Sequence, residues 1–89
     1  MPRLEATMER ELIRRAINGG GMAIKLVNYK GIPDRMVLMP RKQIFFAELK
    51  SDTGELSRAQ EVWHYNLRAL GFPVAVLSEY ETLDLFLPR

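Results

Sequence analysis

The stretch GIPDRMVLMPRKQIFFAELK, residues 31–50, decides the fold of this chain. It holds two apolar runs, residues 35–39 and 44–50, separated by the turn-like segment Pro40-Arg41-Lys42-Gln43. The second run is apolar on both faces until it ends in charge, which indicates a strand in the middle of a sheet. The pattern therefore predicts an antiparallel hairpin whose second strand is internal.

The internal strand ends in two charged residues that share a face. Side chains alternate along a strand, so Glu48 and Lys50 point the same way and Leu49 points the other way. A carboxylate and an ammonium at the end of an apolar strand are costly to desolvate unless each has a partner. The pair indicates either a functional site or a plain surface salt bridge, and this argument alone favours neither.

The rest of the chain adds helices and strands around this hairpin. Three glycines, residues 19–21, end a first helix and lack the strand-before, helix-after context of a phosphate-binding loop. A strand, helix, strand crossover over residues 44–77 implies a parallel pair, so the sheet is mixed and the class is α/β. The single domain, residues 1–89, has the predicted order helix (4–17), strands (22–27, 35–39, 44–50), helix (57–70), strand (74–77) and a short terminal helix (78–87).

Helical periodicity assigns the inward faces of the helices. The first helix presents Leu4, Met8, Leu12, Ile13, Ala16 and Ile17, and the second presents Ala59, Val62, Trp63, Leu67 and Leu70. We interpret Trp63 as a core residue rather than a base-stacking platform. His64, at the edge of the same arc, is interpreted as a surface or interface histidine rather than a catalytic one. Residues 78–87 could form a short helix capped by Ser78 and Glu81 or an extended tail, and the helix is favoured.

Composition limits the chemistry available to this chain of 89 residues. It has no cysteine, which excludes thiolate nucleophiles, disulfides and cysteine metal sites, and a single histidine cannot make a histidine-rich metal site. A bound metal would therefore need oxygen ligands, which selects Mg²⁺ or Mn²⁺. The net charge of +2 is compatible with a polyanionic partner without requiring one. No signal-peptide pattern or membrane-spanning run is present, so the cytoplasm, of a bacterial host if the chain is phage-encoded, is the expected location.

Two further carboxylates are placed to join Glu48. Pro33 fixes φ before Asp34, and the hairpin pairing would bring that aspartate near Glu48. Glu9 falls inside the apolar arc of the first helix and lies farther from its ragged end than Glu5 does. Each has an ordinary alternative: Asp34 as a turn residue, and Glu9 as a boundary residue with its carboxylate in solvent.

If these groups converge, they form a hydrolytic site. Glu9, Asp34 and Glu48, with the backbone carbonyl of Leu49, would hold one or two Mg²⁺ or Mn²⁺ ions. Lys50 would orient or deprotonate the attacking water, or steady the charge on the phosphate.

The ordered set of motifs resembles a known family. The set consists of Glu9, then Gly31-Ile32-Pro33-Asp34, then Glu48-Leu49-Lys50, then Ser57 with Gln60. It resembles the VRR-NUC (virus-type replication-repair nuclease) family of the PD-(D/E)xK superfamily, over nearly the whole chain. The resemblance implies a restriction-endonuclease-like core, with Asp34, Glu48 and Lys50 as the core motif, Glu9 as the first-helix glutamate and Gln60 as a motif glutamine. Ser57 and Gln60 also have the form of a capping box, a structural role that needs no substrate.

The resemblance also implies an activity. Short stand-alone members are similar to phage proteins that act as homodimers on branched DNA such as four-way (Holliday) junctions. A Mg²⁺-dependent endonuclease is therefore expected, and its alternatives are a non-catalytic nucleic-acid-binding module or a chain active only within a replication or repair complex. Candidate phosphate contacts, each of which is also explained as solvated surface charge, are Lys25, Lys30, Arg35, Arg41, Lys42 and Arg58.

Overall fold

A computed structural model describes residues 4–51 and 55–89, and its elements follow the predicted order. They are α1 (Leu4–Asn18), β1 (Met22–Lys25), β2 (Arg35–Met39), β3 (Gln43–Leu49), α2 (Arg58–Ala69), β4 (Val74–Leu77) and α3 (Tyr80–Phe86). The strands form a sheet in the order β1-β2-β3-β4, in which the β3–β4 pair is parallel and the other pairs are antiparallel. The predicted α/β class and mixed sheet are confirmed.

Strand β3 is internal to the sheet, as its two-sided apolar pattern predicted. Ala47 pairs with Arg35 of β2 on one side and with Ala75 of β4 on the other. Helices α1 and α3 cover one face of the sheet, and burying each large apolar side chain there contributes about 1.5–3 kcal/mol. The buried residues of that core are Met8, Leu12, Ala16, Val37, Phe45, Ala47, Leu49, Ala75, Leu77, Leu83 and Leu87. Helix α2 lies on the opposite face, where Glu48 points.

The triple glycine ends α1, as predicted, and lets the chain turn tightly beneath β2. Gly20 has φ +88°, a left-handed conformation that favours glycine. A Cβ at Gly21 would collide with the backbone oxygen of Leu38 and with Met39. The close approach of α1 to β2 therefore depends on this position having no side chain.

The inward stripe of α2 differs from the prediction. The buried residues of this helix are His64 and Leu67, whereas Val62 is exposed and Leu70, which follows the last helical turn, is 73% exposed. Trp63 is half-buried rather than part of the core cluster. His64 and Leu67 lie on one line with Gln60 at positions i, i+4 and i+7, so a partly polar stripe faces the sheet. In α1 the predicted inward residues Met8, Leu12 and Ala16 are buried, although Ile17, in the last turn, is 60% exposed.

Element ends also differ in detail. Strand β1 ends at Lys25, two residues earlier than predicted, after which Leu26 N donates to Asp34 O at 3.0 Å. Strand β3 begins at Gln43, because Arg41 and Lys42 both adopt positive φ and close the turn tightly. The predicted capping pair of α3 is wrong: Glu79 is the N-cap, and it makes no side-chain capping bond.

Among the helices the structure describes, none has the length and apolar character to cross a membrane.

Candidate active site

Glu48 is buried where β3 ends, with 2% of its surface exposed. His64 Nε2 lies 3.1 Å from its Oε1, and Gln60 Nε2 donates to its Oε2 at 3.2 Å. His64 is itself 1% exposed, so its interpretation as a surface or interface residue is wrong. The signal that finds it is the spacing of four residues from Gln60, which places both side chains on one face of a helix.

Gln60 joins the two charged ends of the β3 motif. Its Oε1 accepts from Lys50 Nζ at 2.8 Å, while its Nε2 donates to Glu48. The same Oε1 accepts from Ser57 N at 2.8 Å, and Ser57 Oγ accepts from Gln60 N at 3.2 Å, which completes the capping box. The structural cap and the contact with the candidate site therefore coexist, because the cap fixes the amide in the orientation that reaches both charges.

Asp34 stands at the entrance of β2, at the level of Glu48. The antiparallel register, in which Arg35 pairs with Ala47, places it there. Asp34 Oδ2 accepts a hydrogen bond from Leu49 N at 2.7 Å. The hairpin therefore brings Asp34 to the end of β3, as the sequence predicted.

The two carboxyl groups are electrostatically coupled. Burial is the main cause that raises the pKa of Glu48 to about 8, and the charge of Asp34 and a side-chain hydrogen bond with it add to the effect, while Lys50 opposes it. At neutral pH the pair therefore holds a proton. The carboxyl groups of Asp34 and Glu48 retain this proton because two negative charges so close together repel each other. A hard divalent cation would fit the pair, since its positive charge would replace that of the proton and its preferred ligands are carboxylate oxygens.

Glu9 approaches Asp34 from α1, on the face of the sheet opposite to the one where Glu48 meets α2. It lines a cleft of about 290 Å³ whose other lining residues are Glu5, Ala6, Lys25, Leu26, Asp34 and Leu49. Its Oε2 accepts from Arg35 Nε at 2.9 Å, and Arg35 also donates to Ala23 O at 3.0 Å. Glu9 therefore borders the cleft beside Asp34 with its carboxylate turned onto a guanidinium. Over residues 4–51 and 55–89, no three Asp, Glu or His side chains converge closely enough to form a ready ligand set.

His64 is uncharged in this setting. Burial lowers its pKa first, and the positive charges of Arg68 and Lys50 lower it further. Its Nδ1 has no hydrogen-bond partner among the described residues, and a buried N–H without an acceptor is costly. Placing the ring proton on Nε2, from which it is donated to Glu48 Oε1, avoids that cost.

The loop that precedes Asp34 is tied to α2. Trp63 Nε1 donates to Lys30 O at 3.0 Å, and its ring meets the exposed Tyr29 edge to face at a centroid distance of 6.0 Å. Trp63 is thus a tether between loop and helix rather than a core residue. Gly31 packs directly on Ala59, where no Cβ would fit.

Of the candidate phosphate contacts, Arg35 is mostly buried and bound to Glu9 and Ala23 O, and the others are exposed. Lys25 is exposed at the rim of the cleft, and Lys30 and Arg58 are exposed beside the loop and at the start of α2. Arg41 and Lys42 are exposed in the β2–β3 turn.

Comparisons with known proteins agree with this architecture. The helix, three strands, helix and strand around a mixed sheet, with acidic side chains where the central strands meet, define the restriction-endonuclease-like α/β class. A solved structure described as a VRR_NUC domain has this fold, with a TM-score of 0.86, 26% sequence identity and 94% of each chain covered. The curated protein "Putative nuclease p44" of Acyrthosiphon pisum secondary endosymbiont phage 1 is 35% identical over 86 residues, covering 94% of this chain and 91% of its own length. No family model matches the chain. On these likenesses, the chain belongs to the VRR-NUC family of nucleases.

Proposed function

We propose that this protein is a metal-dependent DNA endonuclease of the PD-(D/E)xK type. The observation that carries the proposal is the coupled pair Asp34 and Glu48 at the end of β3, joined to Lys50 through Gln60. A binding module has no use for acidic groups gathered against a polyanion, whereas metal-assisted phosphodiester hydrolysis needs them. Membership in a nuclease family supports the same reading.

The residues of the candidate site have separate roles in the proposed reaction. Asp34 and Glu48, with Glu9 and the backbone carbonyl of Leu49 at the cleft, would hold Mg²⁺ or Mn²⁺. When bound, such an ion acidifies a water and neutralises charge on the phosphate. Lys50, whose ammonium Gln60 holds beside Glu48, orients the attacking water or stabilises the charge that develops on the phosphate.

We further propose that the substrate is branched DNA and that the working unit is a homodimer. The 10.3 kDa chain has one candidate site at one end of its sheet. A two-fold dimer would present two identical sites, which suits a four-way junction with two symmetry-related strands.

A cleavage assay tests the activity. Purified protein is incubated with a labelled four-way junction and Mg²⁺, alongside Asp34→Asn and the control variant Glu81→Gln, whose side chain is exposed on α3. We expect cleavage by the wild type and the control, and a loss of at least about 100-fold in Asp34→Asn. Undiminished cleavage by Asp34→Asn would contradict the assigned site. Binding of the junction without cleavage would instead identify a non-catalytic DNA-binding module.

A further inference from the structure

We propose that His64 is a positioning residue that holds the Glu48 carboxylate in one orientation for metal binding. The inference rests on the proposed function and deepens it. His64 Nε2 and Glu48 Oε1 are 3.1 Å apart, and both side chains are almost fully buried. The contact lies on the α2 side of the sheet.

Both oxygens of Glu48 are held from the same helix. Gln60 donates to Oε2 and His64 donates to Oε1, and the two residues are about one turn of α2 apart. Rotation of the carboxylate about its terminal bond would break both hydrogen bonds together. The lone pairs that remain on the two oxygens are therefore fixed in direction.

A packing role alone does not explain an imidazole here. His64 Nδ1 is buried without a partner in the part of the chain that the structure describes, which an apolar side chain of similar volume would avoid. What the imidazole provides, and an apolar residue does not, is the Nε2 donor to Glu48. Groups that hydrogen-bond metal-ligating carboxylates fix the direction of the ligand and raise metal affinity.

Direct metal binding tests the inference without relying on cleavage. Mn²⁺ is titrated by calorimetry into the full chain, without DNA, for the wild type and for His64→Leu, His64→Gln and His64→Asn. The glutamine amide nitrogen is as many bonds from Cα as His64 Nε2, whereas the asparagine amide is one bond shorter. We expect His64→Leu and His64→Asn to weaken Mn²⁺ binding by about 10- to 100-fold, and His64→Gln to restore most of the affinity.

The outcomes separate this inference from the proposed function. If the wild type binds Mn²⁺ and His64→Leu, with a native circular dichroism spectrum, binds it equally tightly, the positioning role is overturned while the nuclease proposal stands. If His64→Leu does not fold, the comparison of His64→Gln with His64→Asn decides, and equal affinities overturn the inference. If the wild type binds no Mn²⁺, the proposed metal site fails and the inference fails with it.

Discussion

The surroundings of Glu48 destabilise its ionised form, which lowers the stability of the metal-free protein. Its carboxyl is buried near a second acidic group, and its pKa is raised to about 8. Because the folded state then binds more protons than the unfolded state, stability falls as pH rises from about 4.5 towards 8. The protein therefore carries an electrostatic cost that a bound cation would offset.

Replacing that carboxyl by an amide should separate stability from activity. We expect Glu48→Gln to remove the fall in the free energy of unfolding between about pH 4.5 and 8 in the metal-free protein, because the buried ionisable carboxyl is gone. The same variant should lose cleavage. Denaturant titrations in EDTA at several pH values would check this, with Glu81→Gln on exposed α3 as the control. A variant that keeps the pH dependence of the wild type between pH 4.5 and 8 would contradict the raised pKa of Glu48.

Some side chains of the candidate site were predictable from sequence and others were not. Strand alternation and the hairpin register placed Asp34 near Glu48 and Lys50 on the Glu48 face, because both depend on local geometry. The Arg35 contact of Glu9 was not foreseen, since it depends on how α1 lies across the sheet. His64 was missed because the inward face of α2 was set by apolar residues alone.

The elements at the two ends of the chain are joined by one buried guanidinium. Arg15 of α1, 5% exposed, donates to Glu11 Oε2 at 2.7 Å, to Asp84 Oδ1 at 2.8 Å and to Leu87 O at 3.2 Å. Hydrogen bonds from Arg14 and Arg15 lower the pKa of Glu11 to about 2. The arginine thus fastens α3 and the following residues to α1.

Removing this guanidinium should loosen the attachment of α3. We expect Arg15→Met to lower the free energy of unfolding by about 1–3 kcal/mol, because Leu87 O and Asp84 lose a buried donor. The depressed pKa of Glu11 contributes stability above about 4.5 that is lost as pH falls towards 2, and the variant should lose part of that slope. Thermal melts between pH 2 and 7 measure both effects.

The matched control for this change is Arg14→Met. Arg14 donates to the same Glu11 carboxylate, but it is an exposed residue on the surface of α1. Exposed ion pairs contribute little, so this variant should stay close to the wild type at neutral pH, although it should also lose part of the acid slope because Arg14 helps to lower the pKa of Glu11. Equal losses in the two variants would show that Arg15 acts only as a surface charge.

The loop before Asp34 depends on a glycine packed against α2. Gly31 has φ +84°, and a Cβ there would lie 2.6 Å from the backbone carbon of Ala59. We expect Gly31→Ala to destabilise the fold by about 1–3 kcal/mol and to reduce cleavage, because the loop that carries Asp34 must move. Gly71→Ala is the matched control, since φ is +95° and nothing lies within 4 Å of the added Cβ. The two variants would lose equal stability only if backbone conformation, and not packing, set the cost.

At the scale of the element, sequence predicted the order and type of every helix and strand, but not how far each face is buried. The positions of helices and strands follow from periodicity and from glycine and proline signals, which are local. Burial of a helix face depends on where the sheet ends. Leu70 shows this, because it fits the apolar arc of α2 but lies beyond the last helical turn.

The whole molecule is small relative to the task proposed for it. Its extents are 36 × 33 × 24 Å, and the candidate site lies where β3 ends and the loop before β2 enters the sheet. A single copy of this site would cut one strand at a time. Paired cuts across a junction would therefore require two copies held together, as a two-fold dimer provides.

Mixed dimers test whether two sites act together on one junction. Wild-type chains carrying one affinity tag and Asp34→Asn chains carrying another are co-expressed, and the doubly tagged species is isolated. If each subunit cuts one strand, the mixed dimer should nick a cruciform plasmid once and leave it as an open circle, whereas the wild-type dimer should linearise it. Linear product from the mixed dimer would show that one site cuts both strands in turn. Sedimentation of the wild-type protein gives a second test. If the protein is monomeric and still linearises the plasmid at single-turnover concentrations, the paired cuts do not depend on a second subunit. That result would exclude the dimer as the working unit.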